Sequence, residues 1–310
     1  MGSGHGRHDR VPAARVAAGA HRRRLAAVLA ITVGVLVLEV VGAAVSGSLA
    51  LLADAGHVLT DAAGLALALV AAVLSTRAGT DARTWGFRRA EVLAAAAQAS
   101  VLLAVGVFVL VEAVRRLVRP GEVEPTAMLA FGVAGLLGNA ACVAVLARVR
   151  GADLNVRAAF LEVLTDMLGS VAVLVAAVAI AVTGWTRADA LASLLIGALI
   201  VPRTWRLLRE SVDVLLESTP RDVDLADVRR HLLSVPHVHG VHDLHATTVA
   251  TGLPVLTAHV VVDDDCFHDG RLAGLLDQLQ RCVAEHFEVE HSTFQFERSA
   301  HAEHEHPTHA

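Results

Sequence analysis

Two segments that read as lipid-buried each carry a pair of ligand-capable side chains four residues apart. His57 and Asp61 lie in LALLADAGHVLTDAAGLALALV, and Glu162 and Asp166 in AAFLEVLTDMLGSVAVLVAAV. Positions i and i+4 share one helix face about a turn apart, so each helix presents both groups to the same neighbour. An ionisable side chain in hydrocarbon is costly and needs a partner or water, which makes such residues functional candidates by default. One imidazole nitrogen and three carboxylates, facing each other from two helices, are a four-ligand set for a divalent transition metal. Asp54, three residues before His57, reads either as a group near the cavity mouth or as a cap at the entry of its span, and is left outside this site. Gln98 and Asn139 read as interhelical hydrogen-bonding groups.

The elements that must hold these residues follow from hydropathy. The chain has 310 residues, is 55% hydrophobic and has a mean hydropathy of +0.56. The apolarity is concentrated between about residues 25 and 202. A hydrocarbon layer of roughly 30 Å takes about 17–25 helical residues, and six segments qualify: 25–45, 49–74, 92–117, 127–147, 158–182 and 188–201. The last is short, and Pro202 is expected to end or kink it. Small residues crowd these spans, as close helix packing in lipid requires.

Six spans put both chain ends on one side. Arg22, Arg23, Arg24, Arg77, Arg83, Arg88, Arg89, Arg148, Arg150, Arg157, Arg203, Arg206 and Arg209 all fall on that face. The other face has Arg115, Arg116, Arg119 and Arg187, offset by Glu122, Glu124 and Asp189. The positive-inside rule therefore places both termini in the cytoplasm of a cell membrane protein.

The chain is expected to divide into a disordered basic arm (1–24), an all-α six-span transmembrane domain (25–210), a small cytoplasmic α/β domain (211–299) and a His-rich disordered tail (300–310). Within the third part, DVDLADVRRHLLSV has helical periodicity, HVHGVHDLHATTVA and VLTAHVVVDD alternate like strands around a TGLP turn, GRLAGLLDQLQRCVAEHF is a second helix and HSTFQFE a third strand. The order α-β-β-α-β predicts helices packed on one sheet. His242, His245, His259 and Glu297 fall on successive strands that such a sheet brings together. The cysteines, Cys142, Cys266 and Cys282, are an odd set without zinc-like spacing and read as reduced thiols. A formal net charge of −5 with no strongly basic surface gives no sign of a nucleic-acid partner.

Several stretches in order make the chain resemble the cation diffusion facilitators over nearly its whole length. They are SLALLADAGHVLTDAAGL, GFRRAEVLAA, DLNVRAAFLEVLTDMLGSVAV, ADALASLLIGALI, RLLRESVDVLLESTP and VHDLH. The resemblance implies a homodimer whose protomers have six spans and a cytoplasmic domain of metallochaperone-like shape. It also implies exchange of a divalent cation, most often zinc, for protons, with no organic cofactor. It assigns the transport site to His57, Asp61, Glu162 and Asp166. His57 and Asp61 alone could simply pair with each other at i,i+4 in a structural role; two pairs of matching spacing inside such motifs point to ligands. The motif in zinc members usually begins with His or Asp where Glu162 stands, and the harder set leaves Mn²⁺, Fe²⁺, Co²⁺ or Cd²⁺ open beside Zn²⁺.

By the same resemblance His242, His259 and Glu297 match cytoplasmic zinc-binding positions, with His291 close by. Ala246 and Thr247 replace the aliphatic residue and Trp that often follow VHDLH. The loops TRAGTDARTWGFRR and RVRGADLNVR lack histidine, so neither the extra loop site of some bacterial relatives nor the His-rich insert of many eukaryotic ones is expected.

Metal and protons compete for the same lone pairs, and a free imidazole titrates near pH ~6.5. Binding, release and alternating access around a midplane site together give metal export by proton antiport. A membrane-anchored metal sensor without net transport and a channel are the competing classes; neither G-x-S-x-G nor H-E-x-x-H is present to suggest an enzyme.

Overall fold

The computed structural model describes residues 29–74, 79–147 and 154–302, and within them the side chains of residues 61, 65, 68, 69, 71–74, 145–147, 154–166 and 302 lie outside the description. The expected N-terminal arm (1–24) and all of the His-rich tail past residue 302 also lie outside the described residues. The chain separates into two compact units, Met1–Val70 with Ala97–Leu208, and Ala71–Ala96 with Arg209–Ala310.

The first unit is helical. Its elements are α1 (Leu29–Ser46), α2 (Leu49–Leu74), α3 (Arg88–Val118), α4 (Pro125–Ala147), α5 (Leu154–Thr183) and α6 (Arg187–Leu215), the outer turns of α2, α3 and α6 reaching into the second unit. Among the described residues four helices are long and apolar enough to cross a membrane, Leu29–Ser46, Arg88–Val118, Pro125–Ala144 and Arg187–Leu215, and Met167–Thr183 is a shorter apolar helix. Small and branched residues fill the interior: Ala50, Leu51 and Ala53 of α2, Val109 and Ala113 of α3, Met128 of α4, Val173, Ala176 and Ala177 of α5, and Ala192 and Ile196 of α6. Outside, the apolar side chains continue. On α5, Leu168, Val171, Val175, Val178 and Val182 repeat at helical spacing and all are exposed. A water-soluble surface rarely carries so long an apolar stripe; a lipid-facing one does.

Pro202 does not end α6. The helix runs on to Leu215 with the proline inside it. A proline removes one i to i−4 hydrogen bond and crowds the carbonyl of residue i−4. That local loss is borne within a helix of 29 residues.

The second unit holds α7 (Leu225–Leu233), β1 (Val238–Ala250), β2 (Leu253–Val262), a 3₁₀ turn (Asp264–Phe267), α8 (Leu272–Phe287), β3 (His291–Glu297) and the short α9 (Ser299–Ala302). The strands form one sheet in the order β1-β2-β3, with β1–β2 antiparallel across a tight turn and β2–β3 parallel through the α8 crossover. Asp224 starts α7 by accepting from the backbone N–H groups of Ala226 and Asp227. Val228 and Leu232 of α7 and Leu275, Leu279 and Val283 of α8, each set spaced by four, are buried on the sheet with Leu256, Ala258, Val260 and Val262 of β2.

Candidate metal sites

His57 sits half-buried in α2, one turn before Asp61. The helical course of α5 through Glu162 and Asp166 is described, but the side chains of Asp61, Glu162 and Asp166 lie outside the described residues. What brings the two helices together is visible around them. Asp54 is 2% exposed and accepts from Ser170 Oγ at 3.1 Å. Ser170 lies one turn after Asp166 on α5, and Asn139 Nδ2 of α4 reaches its hydroxyl at 3.4 Å. At Gly169 the approach is so close that a Cβ would stand 3.0 Å from Asp54 Oδ1. Glycine there lets α5 press against the carboxylate. On the other side of α2, Gln98 Nε2 of α3 donates to the Thr60 carbonyl at 2.5 Å, next to Asp61.

Asp54, set outside the site on sequence grounds, is thus a buried strut between α2 and α5 at the level of both motifs. Its spacing of three from His57 was the available signal. Gln98 and Asn139 do act as interhelical hydrogen-bonding groups.

In the second unit the sheet assembles a second constellation. His242 of β1 is paired directly with His259 of β2, and Glu297 ends β3 beside Val261 of β2. His242 Nε2 lies 3.1 Å from Glu297 Oε2 and His259 Nδ1 2.8 Å from Glu297 Oε1, with the two imidazole centroids 5.2 Å apart. One ligand atom from each of the three falls within 4.8 Å of the others. Glu297 is 3% exposed and both histidines are half-buried. Two imidazoles and a carboxylate suit three corners of a zinc tetrahedron. Gln295 Nε2 donates to Glu297 Oε1 at 2.7 Å and helps fix the carboxylate.

Two neighbours differ from expectation. His291 opens β3 opposite Val255, six residues from Glu297 or about 20 Å along a strand. It packs edge-on against Trp85, with ring centroids 5.0 Å apart, and does not join the trio within the protomer. His245 turns to Asp243 instead, at 2.8 Å. The register of β1 shifts between His242 and His245, and Asp243 inside that bulge has φ +47°. Bulges re-aim side chains. This one points the Asp243 carboxylate at His259 Nε2, 3.4 Å away. Asp243 is therefore a neighbour of the cluster that the strand alternation hid; an aspartate inside a strand, where it is unfavourable, was the signal.

Comparison with known proteins agrees with this architecture. Residues 25–216 match the cation efflux transmembrane domain and residues 220–299 the cation efflux protein cytoplasmic domain. The chain is 41% identical over 297 residues to the metal cation efflux system protein CzcD of Cupriavidus metallidurans, covering 96% of this chain and 90% of that one. It is 43% identical over 277 residues to the zinc transporter ZitB of Escherichia coli, covering 89% and 87%. A cadmium, cobalt and zinc/H(+)-K(+) antiporter of Bacillus subtilis is 33% identical over 287 residues, with 91% of each chain covered.

Proposed function

The chain belongs to the cation efflux family, integral membrane transporters of divalent metals and not enzymes, and on that premise we propose that it exports Zn²⁺ in exchange for protons. The observation that carries the site assignment is the Asp54–Ser170 contact of 3.1 Å, which sets α2 against α5 where His57-x-x-x-Asp61 and Glu162-x-x-x-Asp166 lie on them. His57 supplies the nitrogen and Asp61, Glu162 and Asp166 the oxygens of a four-coordinate cation shell.

The mechanism follows from the ligands themselves. A metal ion and protons cannot occupy the same lone pairs, so a site that opens to a more acidic side releases metal as it takes up protons. Losing the protons on the cytoplasmic side restores the ligands for the next ion. Six spans with both termini in the cytoplasm fit the arginines clustered between the spans on that face. The cytoplasmic domain holds a regulatory metal through His242, His259 and Glu297 and joins two protomers as a homodimer. Transport of Mn²⁺, Fe²⁺, Co²⁺ or Cd²⁺ as the main cargo is the second reading, the oxygen-favouring ions being supported by the carboxylate at Glu162.

Uptake of Zn²⁺ into proteoliposomes tests the site. Asp61→Ala and Asp166→Ala should each abolish transport while the protein still elutes as the same folded oligomer, because three ligands leave the cation shell incomplete. Wild-type rates in either variant would refute the assignment.

A further inference from the structure

Four residues past His259, about 13 Å along β2, lies a cluster that no part of the transport cycle or of the trio uses. The turn entering β1 runs through Pro236 and His237, closed by the Val238 N–H on the Val235 carbonyl at 3.2 Å, with φ +75° at His237. Those are the features of a type II turn, whose third position favours glycine because φ is positive there. A histidine stands in it instead. The strained backbone delivers its Nδ1 to Asp263 Oδ2 at 2.7 Å, while His239 Nε2, on β1, holds the other oxygen of the same carboxylate at 2.5 Å.

Beneath them is a thiol. Asp263 leads into the 3₁₀ turn, and its carbonyl accepts from the Cys266 N–H at 3.0 Å, which folds Cys266 back under the carboxylate. Cys266 is 1% exposed. One ligand-capable atom from each of His237, Asp263 and Cys266 lies within 4.8 Å of the others, with His237 open to solvent and Cys266 at the floor. Nitrogen, oxygen and sulfur around one point, with an open side, is a donor set for a borderline or soft divalent cation. Burial pushes the Cys266 thiol up from its ordinary value, so the metal-free protein keeps the sulfur protonated and binding sends that proton to solvent. Arg271 opposes a bound cation: its Nη1 is 3.4 Å from His237 Nε2, and Asp269 holds the guanidinium at 2.8 Å.

We infer that His237, Asp263 and Cys266 form a second metal site of the C-terminal unit, for Zn²⁺, Cd²⁺ or Co²⁺, with His239 positioning the Asp263 carboxylate. Metal here clamps the α7–β1 turn onto the β2–α8 connection. The inference rests on this geometry alone and does not depend on which ion is transported.

Sulfur separates this site from the others, since the trio and the transport motifs offer only nitrogen and oxygen. Full-length protein purified in detergent, in a Cys142→Ser, Cys282→Ser background, is titrated with Co²⁺ and followed in the near ultraviolet for thiolate-to-cobalt charge transfer. The band should appear, survive His242→Ala and vanish in Cys266→Ser. Asp263→Asn, which keeps the side-chain shape, should weaken cobalt binding at least tenfold, and Arg271→Ala should strengthen it severalfold. Circular dichroism and thermal melting without metal identify a variant that has lost its fold, in which case Asp263→Asn decides. No charge-transfer band in the parent, a band that persists in Cys266→Ser, or unchanged affinity in a folded Asp263→Asn would overturn the inference.

Discussion

Glu297 is the residue on which the cytoplasmic trio depends, because it is the buried anion that both imidazoles face. Glu297→Gln keeps the shape and removes the charge. Zn²⁺ affinity at the trio should fall at least tenfold, about 1.4 kcal/mol, and a further loss of stability on the order of 1–3 kcal/mol is expected from a buried group left poorly paired. Calorimetric titration and thermal melting measure the two; unchanged affinity would remove Glu297 from the ligand set. In the membrane part the informative residue is Glu162. A carboxylate in place of imidazole favours harder ions, so Glu162→His should narrow transport toward Zn²⁺ over Mn²⁺ and Fe²⁺. An unchanged metal ranking across the panel would mean that His57 and the two aspartates bind without it.

At the scale of elements, the start of α2 is capped from another helix. Asp189, the third residue of α6 and 1% exposed, accepts from Ser48 Oγ at 2.5 Å and from the N–H groups of Leu49 and Ala50 at 2.9 and 3.1 Å. Arg116 of α3 approaches the same carboxylate at 3.6 Å and donates to the Gly47 carbonyl at 2.7 Å. One aspartate therefore satisfies two of the orphan donors of the helix that carries His57 and Asp61, and Ser48 Oγ accepts from a third, the Leu51 N–H at 3.1 Å. Asp189→Ala should cost about 2 kcal/mol, the upper end of an N-cap loss, read as a lowered melting temperature in detergent, with Asp189→Asn intermediate. Melting at the wild-type temperature in Asp189→Ala would show that the cap is dispensable.

For the whole molecule the decisive measurement is the coupling of two fluxes. If metal and protons share ligands, metal entering inverted vesicles must alkalinise the lumen as protons leave, and a pH dye inside the vesicles should report it in step with uptake. Robust uptake with a constant lumenal pH would identify a channel. A cytoplasmic domain that takes up metal without any flux through the spans would identify a sensor.

The sequence by itself determined the long apolar helices, the two i,i+4 pairs of ligand-capable residues and the alternating strands that carry His242, His259 and Glu297. Each of these is a local pattern: hydropathy over one span, spacing within one turn, alternation within one strand. Tertiary structure decided what those patterns meet. Strand register set His242 opposite His259 and carried His291 to the far end of β3. A bulge aimed Asp243 at His259. Helix α6 ran through Pro202 to Leu215. Asp54 with Ser170, Asp189 with the start of α2, and His237 with Asp263 and Cys266 join residues from 26 to 140 positions apart. No periodicity encodes such pairs, since they exist only once chain packing and turn geometry have fixed where each backbone runs.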